Sequence, residues 1–159
     1  MLARETRIEF ATRTDLVAMA RLSRDEVERG HGWRYTPQCL AQLLRHRHRN
    51  VVVARIDKRL AGFGIMTYRD LQANLDLLAV QREFRRQRVA TQLVDWLTRV
   101  ALTAGIDNVF VQVRETNSGA IAFYRRLGFQ DLDRLPGYYS GAEAAVILVK
   151  ALRPLIATR

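Results

Sequence analysis

Three places in the sequence gather residues whose chemistry goes beyond packing. The first is Leu75–Leu93, LDLLAVQREFRRQRVATQL. An apolar strand there runs into a polar loop carrying Arg82, Arg85, Arg86 and Arg88, and then into a helix. Backbone N–H groups in the first turn of a helix have no partner within it. With the helix dipole they make an anion site, and neighbouring guanidinium groups add attraction for phosphate. The plain alternative is a surface turn with solvated arginines. The second place is Arg114–Phe129, RETNSGAIAFYRRLGF, where Tyr124 lies mid-helix on the side of Ala120 and Leu127. Read alone, such a tyrosine is a core residue whose hydroxyl must find a partner. The third is Asp76, an aspartate inside an apolar strand, where that residue type is depleted. Strand alternation places it on the face of Asn74 and Leu78. It is either a carboxylate on a solvated face, one paired with an arginine, or a group that takes a proton.

The elements that must hold these residues follow from periodicity and punctuation. Thr6–Thr12 reads as a strand, and Asp15 to Glu28 as a helix with Leu16, Met19, Ala20 and Val27 at helical spacing. After the break Gly30–Tyr35, Thr36 and Pro37 form a helix start, and that helix runs to about His46. Val51–Ile56 and Leu60–Tyr68 flank Asp57-Lys58 as a hairpin, and Leu75–Val80 is the next strand. A long helix is predicted over Val89–Ala104, stopped by Gly105. Val109–Val113 is nearly all apolar, which predicts burial on both faces. Ser118–Leu127 is a helix, and Phe129–Asp133 and Ala145–Lys150 are the last strands. The predicted order is β-α-α-β-β-β-α-β-α-β-β, a mixed α/β chain with a strand–helix–strand crossover in its later part.

Composition bounds the function. The chain has 159 residues, of which 48% are hydrophobic and 26% charged, as expected of one globular domain over 1–159. This excludes a disordered tail, a collagen-like fibre and a disulfide scaffold. No apolar run approaches the roughly 18 residues of a membrane span. The charged start MLARETRIEF does not read as a signal peptide. Cys39 is the single cysteine, so a reducing cytoplasm is expected. The formal net charge is +10, and only Lys58 and Lys150 are lysines. An arginine-rich genome or a polyanionic partner explains that balance equally well. His46 and His48 lie among arginines, His31 stands in a loop, and no metal-ligand spacing occurs, so no metal is expected.

The two motif segments together resemble the GNAT superfamily of N-acetyltransferases. Within it they are most similar to the group that acetylates the N-terminal alanine of a ribosomal protein. The family's acetyl-coenzyme A loop (Gln or Arg, two residues, Gly, one residue, Gly or Ala) reads here Arg85-Arg86-Gln87-Arg88-Val89-Ala90. The family's later pattern is matched by Asn117, Ala120, Ala122, Tyr124, Leu127, Gly128 and Phe129. The element order matches over essentially the whole chain, the first half in order only. The resemblance implies an α/β (α+β) fold, a mixed, mostly antiparallel central sheet of about seven strands flanked by about four helices, with two splayed central strands. Those strands would be Leu75–Val80 and Val109–Val113. It implies acetyl-coenzyme A as cosubstrate, held by backbone groups at Leu78, Ala79 and Val80, by the loop Arg85, Arg86, Gln87, Arg88, Val89, Ala90 and Thr91, and by Asn117.

The resemblance also implies direct attack of a neutral amine on the thioester carbonyl. A fixed backbone N–H stabilises the developing oxyanion. Tyr124, protonated at neutral pH, gives the leaving thiolate its proton. Asp76 is the candidate base, at a strand position where some family members carry theirs. Asn74, Trp33, Tyr35, Tyr138 and Tyr139 are candidates for acceptor binding, the aromatic ones forming a wall beside the acetyl group or simply packing. Two positions depart from the family. Arg88 stands where glycine is usual, and at positive φ it would cost roughly 1–2 kcal/mol. Gln112 stands where the ribosomal-protein group usually has a glutamate base, and glutamine takes no proton.

The expected partner is an amine acceptor, either a protein or peptide N-terminus or a small molecule. A homodimer is compatible with this reading. A polyamine or aminoglycoside would want an acidic cleft, against which the net charge argues mildly. The competing reading is a non-catalytic module that senses acyl-coenzyme A or holds a partner. Nucleic-acid binding through the arginines has no recognition motif behind it and is not expected.

Overall fold

A computed structural model describes residues 4–153. Its strands are β1 (Thr6–Phe10), β2 (Arg49–Ile56), β3 (Arg59–Arg69), β4 (Gln72–Val80), β5 (Asn108–Arg114), β6 (Gln130–Tyr139) and β7 (Glu143–Ala151). Its helices are α1 (Leu16–Leu22), α2 (Pro37–Leu44), α3 (Val89–Thr103) and α4 (Ser118–Arg126). The chain order is the one that periodicity predicts. The strand order is β1-β2-β3-β4-β5-β7-β6. β1 with β2, β2 with β3, β5 with β7 and β6 with β7 are antiparallel, whereas β4 and β5 are parallel. The recorded β4–β5 register covers Gln72–Leu75 against Asn108–Val111, the first half of β4 only. This is the mixed, mostly antiparallel seven-stranded architecture expected above.

The described residues cluster in two compact units: the chain up to Thr67 with Leu77–Leu97, and Tyr68–Asp76 with Thr98 onward. In the first unit, the Thr12 N–H donates to the Asp15 carboxylate at 2.9 Å, and the Arg55 guanidinium meets that carboxylate at 2.8 Å. This charge pairing accounts for an aspartate being buried ahead of α1. α1 ends in a wide π-helical turn, Ser23–Val27, rather than continuing as α-helix to Glu28. α2 starts as expected: the Thr36 side chain accepts from the Cys39 N–H at 3.2 Å, with Pro37 in the first turn. Asp57 and Lys58 both take positive φ, +51° and +66°, which gives the β2–β3 hairpin a turn whose twist matches its strands.

The core of the first unit is built from alternate faces. Met19, Ala20 and Leu22 of α1 and Leu40 of α2 pack with Val51, Val53, Phe63, Ile65, Leu77 and Ala79 of the strands. The other face of β3 is flattened by two glycines. A Cβ on Gly64 would lie 3.0 Å from Leu97 Cδ1 of α3, and one on Gly62 would lie 2.6 Å from the Ala79 carbonyl oxygen. The absent side chains thus let α3 and β4 approach β3 closely.

In the second unit, Val109, Val111 and Val113 are buried while Phe110 and Gln112 are half-buried. β5 is therefore an alternating strand, not one buried on both faces. β6 runs on past Asp133 to Tyr139, through Pro136 and Gly137. It is the last strand in the sheet order, and an edge tolerates proline because no neighbour needs the missing N–H. β7 supplies the buried partners Ala144, Ala145, Ile147 and Leu148.

Candidate active site

The arginine loop belongs to the first unit. A short 3-10 turn at Arg82–Phe84 buries the Phe84 ring, and α3 begins at Val89. Between them Arg86 and Arg88 take left-handed backbone, φ +63° and +61°. The position where the resemblance expects glycine therefore keeps a glycine-type conformation with an arginine in it. The Gln92 N–H donates to the Arg88 carbonyl at 3.0 Å and closes the first turn of α3. The N–H groups ahead of it have no acceptor within the helix. Arg85 is drawn the other way, onto Glu26 at 2.8 Å. Among the described residues no carboxylate pairs with Arg86 or Arg88, and both are exposed. Gln87 is exposed, Val89 is buried, and Ala90 and Thr91 are half-buried. On β4 of the same unit Ala79 is buried and Leu78 and Val80 are half-buried.

The second unit holds the polar groups. On β4 and β5, Asn74, Asp76 and Gln112 form one network. The Asn74 amide nitrogen donates to Asp76 Oδ1 at 2.7 Å and to Gln112 Oε1 at 3.0 Å. The Gln112 amide nitrogen donates back to Asn74 Oδ1 at 2.6 Å. All three residues are half-buried, and Asn74 and Asp76 share a strand face as alternation predicts. Tyr124 is 6% exposed, with the Phe129 ring edge-on at 5.3 Å. Burial raises its phenol above the ordinary value of 10.0, which keeps the hydroxyl protonated across the physiological range. Asn117 caps α4 by accepting from the Ala120 N–H at 3.1 Å, so it fixes the start of the helix that carries Tyr124.

The aromatic candidates fall in different units. In the first, the Trp33 indole donates to the Ala20 carbonyl at 3.1 Å and the Arg24 guanidinium stacks on its ring. Tyr35 packs against the first core. In the second, Tyr138 and Tyr139 meet edge-on at 4.9 Å. Tyr138 is 49% exposed. Burial also raises the Tyr139 phenol.

Several supporting residues escape sequence reasoning. Glu28 accepts from the Ser23 hydroxyl and from the Arg34 and Tyr35 N–H groups at 2.8 and 3.2 Å, so it shapes the 30–35 loop. Arg114 pairs with Glu143 at 2.8 Å and lies 4.0 Å from the Tyr139 ring centroid, while Thr116 donates to the same Glu143. No local pattern marks contacts of this kind. Alternation from Gln112 would have put Arg114 on the same strand face, which is the one available signal. Among the described residues no group of His, Cys, Asp and Glu could hold a metal ion, and no helix is long and apolar enough to cross a membrane.

The sequence pattern of the acetyltransferase (GNAT) family matches residues 16–129, and the chain belongs to that family. The [ribosomal protein bS18]-alanine N-acetyltransferase of Salmonella typhimurium is 28% identical over 89% of this chain and 94% of its own. The crystal structure of the ribosomal-protein-S18-alanine N-acetyltransferase from Escherichia coli superposes with a TM-score of 0.83 at 22% identity. It covers 98% of this chain and 99% of its own. The PaiA N-acetyltransferase of Thermoplasma acidophilum, solved with coenzyme A, gives a TM-score of 0.77 at 20% identity, over 92% of this chain and 99% of that one. The chain is thus an N-acetyltransferase of the GNAT kind.

Proposed function

We propose that the enzyme moves the acetyl group of acetyl-coenzyme A to a primary amine, a peptide N-terminus foremost. The carrying observation is the left-handed backbone at Arg88, because the loop keeps its shape where the glycine is gone. With that backbone, the N–H groups at the start of α3 are left to meet phosphate oxygens. A coenzyme A complex in a structural neighbour supports the same cosubstrate. Cofactor contacts are assigned to Leu78, Ala79 and Val80, to Arg85–Thr91, and to Asn117. The 28% relative supports an N-terminal acceptor, and a +10 chain suits a cationic small molecule poorly.

In the reaction the amine nitrogen attacks the carbonyl carbon, a C–N bond forms and the C–S bond breaks. The nitrogen gives up a proton to Asp76, directly or through a water. Tyr124 protonates the leaving sulfur; Asp76 then gives its proton to solvent and Tyr124 regains one, so both groups return to their starting forms. Burial of its hydroxyl suits this role, since an ionised phenolate has no proton to give.

The test has two parts. Calorimetric titration with coenzyme A and acetyl-coenzyme A is expected to show saturable binding. Thiol release is then followed with peptides of varied first residue, a polyamine and an aminoglycoside. Peptides are expected to be the better acceptors. Absence of coenzyme A binding at moderate salt would end the proposal.

A further inference from the structure

Gln112 looks at first like a lost catalytic group. The hydrogen bonds around it point elsewhere, because donors and acceptors match in one arrangement. An ionised carboxylate only accepts hydrogen bonds. Asp76 Oδ1 therefore requires that Asn74 present its amide nitrogen, as it does at 2.7 Å. That orientation turns Asn74 Oδ1 the other way, where it needs a donor. Gln112 Nε2 supplies it at 2.6 Å. The second N–H of Asn74 is then taken by Gln112 Oε1 at 3.0 Å. Every hydrogen-bonding atom of the Asn74 amide is engaged, and only one of its two flip states satisfies the set. A glutamate at 112 would have no proton for Asn74 Oδ1, and would set a second carboxylate against the same amide.

We infer that Gln112 and Asn74 are positioning residues: their reciprocal amide pair fixes the rotamer and the Oδ1 of Asp76. Asn74, an acceptor-binding candidate on sequence grounds, acts here on the carboxylate instead. The glutamine is thus fitted to an enzyme whose base stands on β4 rather than β5. This rests on the reading of Asp76 as the base, and the test separates the two.

The experiment is a double-mutant cycle on the full chain, reading thiol release from acetyl-coenzyme A with a peptide that begins in alanine. Gln112→Leu is expected to lower kcat about ten-fold through misplacement of the carboxylate, with coenzyme A affinity unchanged. Asp76→Asn is expected to lower kcat by about 100-fold or more. Gln112→Leu added to Asp76→Asn should then cost less than about two-fold, because its effect runs through the carboxylate. Gln112→Glu should lower kcat, not raise it. Equal losses from Gln112→Leu in both backgrounds would overturn the inference and make Gln112 a general structural residue. A loss in Asp76→Asn with none in Gln112→Leu would overturn the inference alone and leave the base assignment standing. No loss in Asp76→Asn would overturn the base assignment and the inference with it.

A second measurement needs no acceptor. The side-chain amide NMR signals of Asn74 are expected to shift in both Asp76→Asn and Gln112→Leu. Unchanged Asn74 signals in either variant would overturn the network on their own.

Discussion

Replacing Arg88 by glycine separates what its backbone costs from what its side chain contributes. A non-glycine residue in left-handed conformation is strained by roughly 1–2 kcal/mol, and Arg88 has φ +61°. Glycine removes that strain but adds chain entropy to the unfolded state, which takes back roughly 0.5–1 kcal/mol. The net gain is about 0.5–1 kcal/mol in the free enzyme. For a chain of this size that raises Tm by about 1–4 °C. The side chain is exposed, so its ion pairing with a bound phosphate is worth at most about 1 kcal/mol, and its removal weakens coenzyme A by no more than about five-fold. Arg88→Ala is the control, since it removes the guanidinium and keeps the strain. Thermal unfolding of the ligand-free proteins, with coenzyme A titrations beside it, reads both effects. Arg88→Gly should be the more stable variant, with the two binding coenzyme A alike. If Arg88→Ala unfolds at the same temperature or higher, the left-handed backbone at this position carries no such strain. If both lose far more than five-fold in affinity, the guanidinium is a principal phosphate ligand.

Tyr124→Phe keeps the ring against Phe129 and removes only the hydroxyl. It should lower kcat by about 100-fold or more with coenzyme A affinity within about two-fold, read by steady-state kinetics and calorimetry. Because burial raises the Tyr124 phenol above 10.0, wild-type kcat should show no alkaline fall below pH 10 from this group; a fall in that range that disappears in Tyr124→Phe contradicts the burial argument. Gly62→Ala puts a Cβ 2.6 Å from a backbone oxygen and should cost about 1–3 kcal/mol in urea unfolding. The Glu143 carboxyl is held below its ordinary value of 4.5 by the Thr116 hydroxyl and then by Arg114. Its contribution to stability is present above that value and is lost as pH falls through the lower folded value. Wild type and Glu143→Gln should therefore differ in stability at pH 7 and converge in acid, as measured by denaturant midpoints across pH.

Signals that act over a few residues were legible in the sequence. The Thr36-Pro37 start of α2, the Asp57-Lys58 turn and the alternation that joins Asn74 to Asp76 are of this kind. So was the conflict at Arg88, because a glycine pattern broken by arginine is visible in one line of text. The end of β6 is not legible in the sequence, because Pro136 and Gly137 stop an interior strand but not an edge. The burial of β5 is not legible either, because an apolar run does not say which of its faces is covered. Gln112 is 38 residues from Asn74, and Arg85 is 59 from Glu26. Pairs that distant leave no periodic trace, since they depend on how strands and helices meet and not on spacing along the chain.

The exposure of β6 has a consequence for descent. From Gln130 to Tyr138 every residue is exposed, and the hydrophobic burial in that hairpin falls to β7. Substitutions along β6, or a longer tip beyond Tyr139, touch little that holds the domain folded. Tyr138 and Tyr139, acceptor-binding candidates on sequence grounds, stand at the end of β6 in that hairpin. If those tyrosines meet the acceptor, drift in acceptor preference comes at low cost to stability, while Tyr124, buried against the Phe129 ring, has little freedom to vary. An enzyme arranged this way keeps its chemistry and trades its clients.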